Sequence, residues 1–269
     1  MENKSNLPDV QSESARPARS EVLAGIDRVK IPVQLPSGHK VIATLRLAAR
    51  VPEGHRGVHM SRLYRMLAGT SDLPIGELAQ RLEETAKAQE TTHLIATLAW
   101  EDIVGRDAPV TRSKGFHPYR VEMRGEWTPS TGVALRTRIE SAAMLACPCS
   151  KALSGDLGFH NQRGILQAEV AGDQVPRVVE LMEAIDTAAS NRVHPVLRRE
   201  DEKEVIDILS RTNSFRFVED AASRLLDTLD AAGFEGVSIH VRSMESIHAH
   251  DAVAWAGARG QEMSEGIQL

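Results

Sequence analysis

The only two cysteines of the chain lie one residue apart, in the run Cys-Pro-Cys-Ser-Lys at residues 147–151. A thiolate binds metal ions and attacks electrophiles, and a neighbouring positive charge such as that of Lys151 favours this ionised form. His160 follows after a short segment and offers a nitrogen donor for part of a zinc-like site. The usual four-ligand zinc spacing is missing, so two structural cysteines and a surface histidine remain an alternative.

The composition limits which classes of protein this chain can represent. Its 269 residues are enough to bury a substantial core in one large domain or two small ones. A net charge of -5 argues against a general nucleic-acid or membrane-surface binder, because such proteins need a basic face. A few local basic groups would still suffice to bind an anionic small molecule.

The sequence also indicates a compartment. No apolar run approaches the roughly 20 residues that span a bilayer, and the polar start of the chain shows no secretory signal. Two cysteines one residue apart are not a disulfide framework, and their spacing would strain a bridge between them. We therefore expect a cytoplasmic protein with reduced thiols, no membrane and no nucleic-acid partner.

Hydrophobic periodicity predicts one order of elements twice, and these elements must position the candidate residues. For the first half the pattern predicts strands at 29–35 and 41–47, helices at 60–67 and from 71 or 72 to 82, and strands at 93–101 and 119–124. For the second half it predicts strands from 133 into Cys147 and at 166–170, helices at 178–189, 205–209 and 218–233, and a closing strand at 237–241. We expect a flexible arm over 1–22, one unit over 23–128 and a second over 129–269.

Several motifs together resemble the type IB GTP cyclohydrolases. They are the cysteine run with the following His-Asn-Gln-Arg (160–163), Gly-Val-His-Met-Ser-Arg (57–62), Arg-Glu-Asp-Glu-Lys (199–203) and Glu-Ser-Ile-His-Ala-His (245–250). The opening Leu-Pro-Asp-Val-Gln at 7–11 is also similar to bacterial members. The motifs occur in the family's order and cover nearly the whole chain, which makes a chance similarity improbable.

This resemblance implies a fold and an assembly. The fold class is α+β, with tandem tunnelling-fold (T-fold) units whose antiparallel sheets close into an oligomeric barrel with helices outside. One chain carries too few strands to close such a barrel, and open sheet edges are prone to aggregate unless they are paired. We therefore expect a homotetramer with active sites between subunits.

The resemblance also implies a reaction and a cofactor. The reaction converts GTP to 7,8-dihydroneopterin triphosphate with release of formate, and it depends on a divalent metal, namely Zn, Mn or Fe. The implied metal ligands are Cys147, His160, Glu202 and Glu245. For Glu202, stabilisation of a helix start by an acidic residue is the alternative, and the neighbouring Glu200 and Glu204 leave the register of this ligand open.

Further residues receive roles by the same resemblance. Cys147, Glu245 and His248 are the catalytic candidates, with His248 in proton transfer. If residues 245–250 were extended, His248 and His250 would share one face, so a local turn is needed to bring Glu245 beside them. Cys149 is either a milder contributor or a small buried hydrophobe.

The substrate-binding candidates carry charges that match GTP. Glu219 suits the N–C–N edge of a purine because a carboxylate accepts two parallel N–H bonds, although helix capping is an equal alternative. Lys151 and Arg163 suit the phosphates, and His59 and Arg62 are additional substrate contacts. Each of these four basic residues has a solvated surface charge as its alternative.

Three rival functions are also compatible with the sequence. The archaeal branch of the family forms a cyclic phosphate product from GTP with the same motifs. A tunnelling-fold nitrile reductase would use a cysteine to form a thioimide, but it would need a hydride donor and leaves His160 without a role. The third possibility is a ligand-binding module without catalysis.

Overall fold

The structure is a computed structural model that describes residues 9–14, 22–67, 69 and 71–258. Over these residues the fold is α+β and its strands are mostly antiparallel, so the predicted class is confirmed. The strands are β1 (Leu23–Gln34), β2 (Lys40–Arg50), β3 (Leu73–Pro74), β4 (Leu94–Asp107), β5 (Lys114–Thr128), β6 (Gly132–Ala146), β7 (Asn161–Ala171), β8 (Asn191–Arg192), β9 (Ser238–Ser243) and β10 (Ala252–Gly257). The α-helices are α1 (Met60–Leu63), α2 (Leu78–Gln89), α3 (Pro148–Ser154), α4 (Val178–Ala188), α5 (Arg199–Thr212) and α6 (Val218–Ala231).

The chain divides into two compact units, and strands β4, β5 and β6 contribute residues to both. The first unit combines residues 1–100 with 122–135, and the second combines 101–121 with 136–269. The predicted boundary between residues 128 and 129 follows the order of elements, whereas these units follow packing. That boundary stays a prediction.

In the first unit, helix α2 packs on the sheet through its apolar stripe. The strands of this unit follow the order β3-β1-β2-β4-β5, with β1 and β2 antiparallel and β1 and β3 parallel. Leu78, Leu82 and Ala86 of α2 are buried. A Cβ added at Gly125 of β5 would lie 2.2 Å from Cδ1 of Leu82. Glycine at this position therefore lets the helix approach the strand closely.

In the second unit, the strand order is β10-β9-β7-β6-β5-β4, and β8 pairs with β6. The β6–β7 and β7–β9 ladders are antiparallel. Apolar residues of the sheet and of helices α4 and α6, such as Ile139, Leu166, Ile239, Leu181 and Leu225, are fully buried. Alternation along β6, β7 and β9 thus buries one set of side chains in a core and leaves the other set available for polar contacts.

The second half begins and ends with a pair of strands, as the first half does, but helix α3 separates β6 from β7 and three helices precede β9. The tandem repeat of one unit therefore stays a prediction. Strand β10 follows β9 as an antiparallel partner and ends the second half on a strand pair, as β4 and β5 end the first. The prediction ended at β9 because β10 is an edge strand in which only Ala254 is buried. Strand edges on the surface leave a weak hydrophobic pattern.

Three helices differ from the sequence-based expectation. Helix α5 runs over fourteen residues. Its acidic first turn at 200–202 is where a helix start was expected, but the helix continues to Thr212, so the short helix predicted around 205–209 was wrong in length. Helix α3 was not predicted; it follows strand β6 directly and contains Cys149. The helix expected to begin at residue 71 or 72 starts with a 3-10 turn at Ile75–Glu77 that leads into α2.

The predicted flexible arm lies mostly outside the described residues, as do residues 7 and 8 of the opening motif. Within the arm, the described residues 9–14 contain a 3-10 helix at Val10–Ser12, and Glu13 forms an ion pair with Arg56. Among the described helices, none combines the length and apolar character required to cross a membrane.

Candidate functional site

Cys147 and His160 are brought together by the end of the β6–β7 ladder. Ala146 and Asn161 form its last pair, and the next pair outward is joined by a hydrogen bond from the Cys147 N–H to the His160 carbonyl at 3.2 Å. The expected strand end at Pro148 is confirmed, because β6 stops at Ala146 and α3 begins at Pro148. Antiparallel pairing of β6 with β7 therefore brings these two residues together although they are separated in sequence.

Helix α3 begins with Cys147 as its N-cap residue. The Sγ of Cys147 accepts a hydrogen bond from the backbone N–H of Ser150 at 3.4 Å. The hydroxyl of Ser150 in turn accepts one from the backbone N–H of His160 at 3.0 Å. Ser150 therefore contacts both candidate donors. Cys149 is exposed, so its interpretation as a small buried hydrophobe was wrong.

The segment before helix α6 is fixed beside the cysteine. The Arg216 N–H donates to the carbonyl of Ala146 at 3.0 Å. The rings of Phe215 and Phe159 meet edge to face with their centroids 4.9 Å apart, in a core cluster that includes Ala146 and Leu209. These contacts hold the start of α6, and with it Glu219, next to the end of β6.

Glu245 reaches the same place through the β7–β9 ladder. Gly164 pairs with Ser243, and the Met244 N–H donates to the Arg163 carbonyl at 3.0 Å just beyond this pair. The same antiparallel register continued outward sets Glu245 opposite Gln162. The segment between β9 and β10 then bends, which is the local turn that the sequence required.

These segments surround a cavity of about 460 Å³ in the second unit. Its lining unites six of the residues that the sequence singled out: Cys147, Cys149, His160, Glu219, Glu245 and His248. The remaining lining residues are Leu145, Gln162, Arg216, Phe217, Val218, Ser243, His250, Ala252 and Val253. A concave pocket with convergent polar groups is the usual form of a small-molecule site.

Arg216 is a lining residue that the sequence reasoning missed. Its Nη1 donates to the carbonyls of Asn213 and Phe215, at 3.1 and 2.9 Å. Its Nε is buried without a hydrogen-bond partner in the described part of the chain. Burial, followed by the nearby Arg224, lowers the pKa of Arg216. In the sequence, the one feature that could have pointed to Arg216 is its position three residues before the candidate Glu219.

The donor atoms around Cys147 suit a divalent metal. His160 contacts Gln162 and Ser246 through Nδ1, at 3.0 and 3.4 Å, and its Nε2 has no hydrogen-bond partner among the described residues. Within those residues, no three His, Cys, Asp or Glu side chains converge closely enough to hold a metal ion. The sulfur, nitrogen and oxygen donors fit borderline metals such as zinc.

Glu202 lies elsewhere, exposed on the first turn of α5 and outside the cavity lining. Its neighbour Asp201 is fully buried. Glu204, one of the alternatives in register, pairs with Arg211 on the same helix. The structure therefore brings Cys147, His160 and Glu245 to one cavity and leaves Glu202 apart from them. The metal-ligand role of Glu202 stays a prediction.

The predicted phosphate-binding residues Lys151 and Arg163 do not line the cavity. The Nζ of Lys151 donates to the carbonyl of Gly155 at 2.7 Å and lies 3.6 Å from Asp156. Arg163 is exposed on β7 and belongs to the face opposite to Gln162. Arg216 is the arginine that lines the cavity instead.

His59 and Arg62 belong to the first unit. The Nε2 of His59 lies 3.5 Å from Oδ1 of Asp9, and Nη1 of Arg62 donates to the carbonyl of Ala88 at 3.3 Å. Both side chains thus have local structural contacts. Their role in substrate binding stays a prediction.

Comparison with known proteins agrees with the motifs. The family model described as type I GTP cyclohydrolase FolE2 matches residues 7–254. The GTP cyclohydrolase FolE2 of Nitratidesulfovibrio vulgaris strain Miyazaki F is 30% identical over 257 residues, 92% of this chain and 96% of that protein. The FolE2 of Exiguobacterium sp. strain AT1b is 32% identical over 247 residues, 86% of this chain and 80% of that protein.

Among solved structures, a uricase from Bacillus fastidious has a TM-score of 0.47 and 8% identity, covering 92% of this chain and 96% of that chain. The resemblance drawn from the motifs is confirmed by the family match, which spans most of the sequence. The chain belongs to the type I GTP cyclohydrolase family of FolE2.

Proposed function

We propose that the chain is a metal-dependent GTP cyclohydrolase I that hydrolyses GTP at C8 and yields 7,8-dihydroneopterin triphosphate and formate. This would be the first step of tetrahydrofolate biosynthesis. The observation that carries the proposal is that Cys147, His160, Glu219, Glu245 and His248 line one and the same cavity. These residues come from separate segments, and the chemistry requires each type: metal donors, a purine anchor and a proton-transfer group.

The donor set supports a divalent metal, with Zn, Mn and Fe as the candidates. Cys147 and His160 would hold it, and Glu245 and Glu202 are the proposed further ligands. When bound, the ion supplies Lewis-acid activation of water. Because Glu202 lies outside the cavity of its own chain, a complete ligand set requires a movement of α5 or a Glu202 from another copy.

Glu219 and Arg216 together suit the edge of guanine. The base presents N1–H and the N2 amino group as donors, with O6 as an acceptor beside them. The carboxylate of Glu219 would accept the two N–H bonds, and the guanidinium of Arg216 would donate to O6. Adenine has an amino group in place of O6, so this amino group would face the guanidinium of Arg216, and two hydrogen-bond donors would oppose each other.

His248 is the proposed proton-transfer group. It is exposed at the cavity and stacks on His250 with ring centroids 5.2 Å apart. An imidazole can act as a general acid and as a general base, so His248 would deliver a proton to N7 and remove one in a later step. Glu245, on the same bend, would serve beside it in the metal shell.

We also propose tandem T-fold units and a homotetramer whose active sites lie between subunits. Among the described residues lining the cavity, Arg216 is the only arginine or lysine, while Glu219 and Glu245 are acidic. A triphosphate needs more positive charge than this, and a second copy can supply it. Leu153 in helix α3 and Leu157 in the 3-10 turn after it are 89% and 96% exposed, as expected for a surface that another subunit covers.

The reaction is tested by incubating the protein with GTP after loading with Zn, Mn or Fe. Formate should appear together with a pterin that fluoresces after oxidation, and metal content should be measured on the same samples. Phosphatase treatment separates the two product types, because a linear triphosphate is fully removed whereas a cyclic phosphate diester resists. Absence of formate with every metal would refute the proposal.

A further inference from the structure

Gln162 connects two candidate residues of the cavity. Its Oε1 lies 3.0 Å from Nδ1 of His160. Its Nε2 donates to Oε1 of Glu245 and to Oγ of Ser243, both at 3.0 Å. A side-chain amide has one acceptor oxygen and two N–H donors, so these contacts use the oxygen and both hydrogens of the amide.

The carboxylate of Glu245 decides how the amide is oriented. An ionised carboxylate can only accept hydrogen bonds, so the amide nitrogen of Gln162 must face Glu245. Rotating the amide by half a turn would set two oxygens against each other at this contact. The amide oxygen must therefore face His160, and only a protonated Nδ1 can donate to it.

The consequence is a defined form of His160. With the proton on Nδ1, the neutral ring carries its lone pair on Nε2, the nitrogen without a hydrogen-bond partner in the described structure. Metal-binding histidines commonly donate their other N–H to such a partner, which fixes both tautomer and ring orientation. The lone pair on Nε2 is what coordination of a metal requires.

We propose that Gln162 is a positioning residue that holds His160 as the Nδ1–H tautomer and at the same time orients the carboxylate of Glu245. The inference rests on the proposed function, in which His160 and Glu245 serve the metal. It adds a residue that links the two candidates, so that one substitution disturbs both.

The test uses two variants of Gln162 and a matched control. Gln162→Met keeps an unbranched chain of similar size and removes both contacts. Gln162→Glu keeps an acceptor for His160 but replaces the donor by a second carboxylate facing Glu245. Gln167→Met is the control, because Gln167 is a buried glutamine on the same strand that likewise joins a glutamate, Glu140, and a histidine, His240, outside the cavity.

The first readout is the ring-nitrogen NMR signal of His160 in metal-free protein, which distinguishes the two neutral tautomers. The wild type and Gln167→Met should show the proton on Nδ1, and Gln162→Met should lose this preference while Gln162→Glu retains the proton on Nδ1. The second readout is the affinity for Zn²⁺ or Mn²⁺ by chelator competition. Gln162→Met should bind about 10- to 100-fold more weakly, with no change in Gln167→Met.

Two outcomes would overturn the inference: a wild-type His160 protonated on Nε2, or a Gln162→Met variant with wild-type tautomer and metal affinity. If Gln162→Met does not fold, Gln162→Glu decides, because loss of the Nδ1 proton there also contradicts the proposal. The tautomer is read without GTP. A protein that passes this test and does not release formate would therefore refute the proposed function alone.

Discussion

The hydroxyl of Thr111 donates a 2.7 Å hydrogen bond to Oδ2 of Asp201, a residue 90 positions further along the chain. The buried carboxylate also accepts the backbone N–H groups of Val110, Thr111 and Arg198, each at 2.9 Å. The first turn of α5 is thereby fixed to the turn between β4 and β5. Because Glu202 is the next residue, the hydrogen bonds of Asp201 also fix its position.

Replacing Asp201 by Asn should lower the melting temperature at pH 7, because one amide oxygen cannot accept the bonds that two carboxylate oxygens receive. Burial by itself raises the pKa of Asp201, but the hydrogen bonds from Thr111, Arg198 and Val110 outweigh it and hold the pKa well below its usual range. Because the pKa of Asp201 is lower in the folded protein than its value near 4 in the unfolded chain, the ionised carboxylate stabilises the fold at pH values above about 4. The deficit of the variant should therefore shrink as the pH falls below about 4.

The measurement is thermal unfolding of both proteins from pH 7 to pH 2. Asp207→Asn is the control, since Asp207 forms a surface ion pair with Lys203 on the same helix and such pairs contribute about 0–1 kcal/mol. A difference between wild type and Asp201→Asn that stays constant with pH would contradict the explanation.

Cys147→Ala should lose activity and metal affinity, whereas Cys149→Ala should be milder. Removal of a direct ligand should cost more than the about 10- to 100-fold loss typical of its supporting contacts. Both cysteines line the cavity, so the pair is a matched comparison. Metal content by atomic absorption and formate release give the two readouts. A Cys147→Ala protein with bound metal and full turnover would exclude this cysteine as a ligand.

Glu219→Gln should lower kcat/KM for GTP by about 10- to 100-fold, because a good bidentate contact to a base is worth about 1–3 kcal/mol. The loss should be smaller with inosine triphosphate, which lacks the N2 amino group. Asp227→Asn, on the exposed face of the same helix, should leave kcat/KM unchanged. Equal losses for both nucleotides would favour a capping role for Glu219.

His117 should make the protein sensitive to mild acid. Its Nε2 lies 2.8 Å from Oγ of Ser141, and burial together with the charges of Arg106, Arg163 and His194 lowers its pKa to about 4. Between that value and about 6.5 the unfolded chain binds the proton more readily. Stability should therefore fall as the pH is lowered through this window.

His117→Gln should show a flatter dependence of the melting temperature on pH between 7 and 4, because glutamine keeps a polar contact to Ser141 without titrating. Each pKa unit of difference between folded and unfolded states corresponds to about 1.4 kcal/mol. The melting temperature of the variant should still depend somewhat on pH, since burial also lowers the pKa of His194. Parallel curves for variant and wild type would show that His117 does not control this response.

Subunit mixing tests whether sites are shared between copies. Cys147 and Glu219 line one cavity of the same chain, so the informative pair is Cys147→Ala with Glu202→Ala, whose side chains lie apart. If Glu202 acts from another copy, mixed oligomers should recover part of the activity that each variant lacks. Light scattering should report a tetramer. An active monomer, or no recovery after proven subunit exchange, would contradict shared sites.

The sequence predicted the candidate site best where reactive residues lie next to a recognisable strand end. Pro148 marked the end of β6, and the motif residues Cys147, His160, Glu245 and His248 do line one cavity. Their meeting depends on ladder pairs between distant segments, which periodicity within one segment cannot reveal.

Other features could not be read from local patterns. Arg216 faces the cavity because its backbone bonds to Ala146, a contact between segments far apart in sequence. The role of Gln162 requires the cross-strand position of Glu245. Its local signals were its place in the His-Asn-Gln-Arg motif and its spacing of two from His160, which is typical of one strand face.

The pairing of Gly164 with Ser243 has a consequence for how activity can be lost. A slip of one residue between β7 and β9 would turn every side chain of the shifted strand to the other face, and Glu245 would no longer stand opposite Gln162. Burial of Leu166 and Ile239 holds the present register. Core substitutions on these strands can thus inactivate the protein without touching the cavity, through misalignment of an intact set of functional groups.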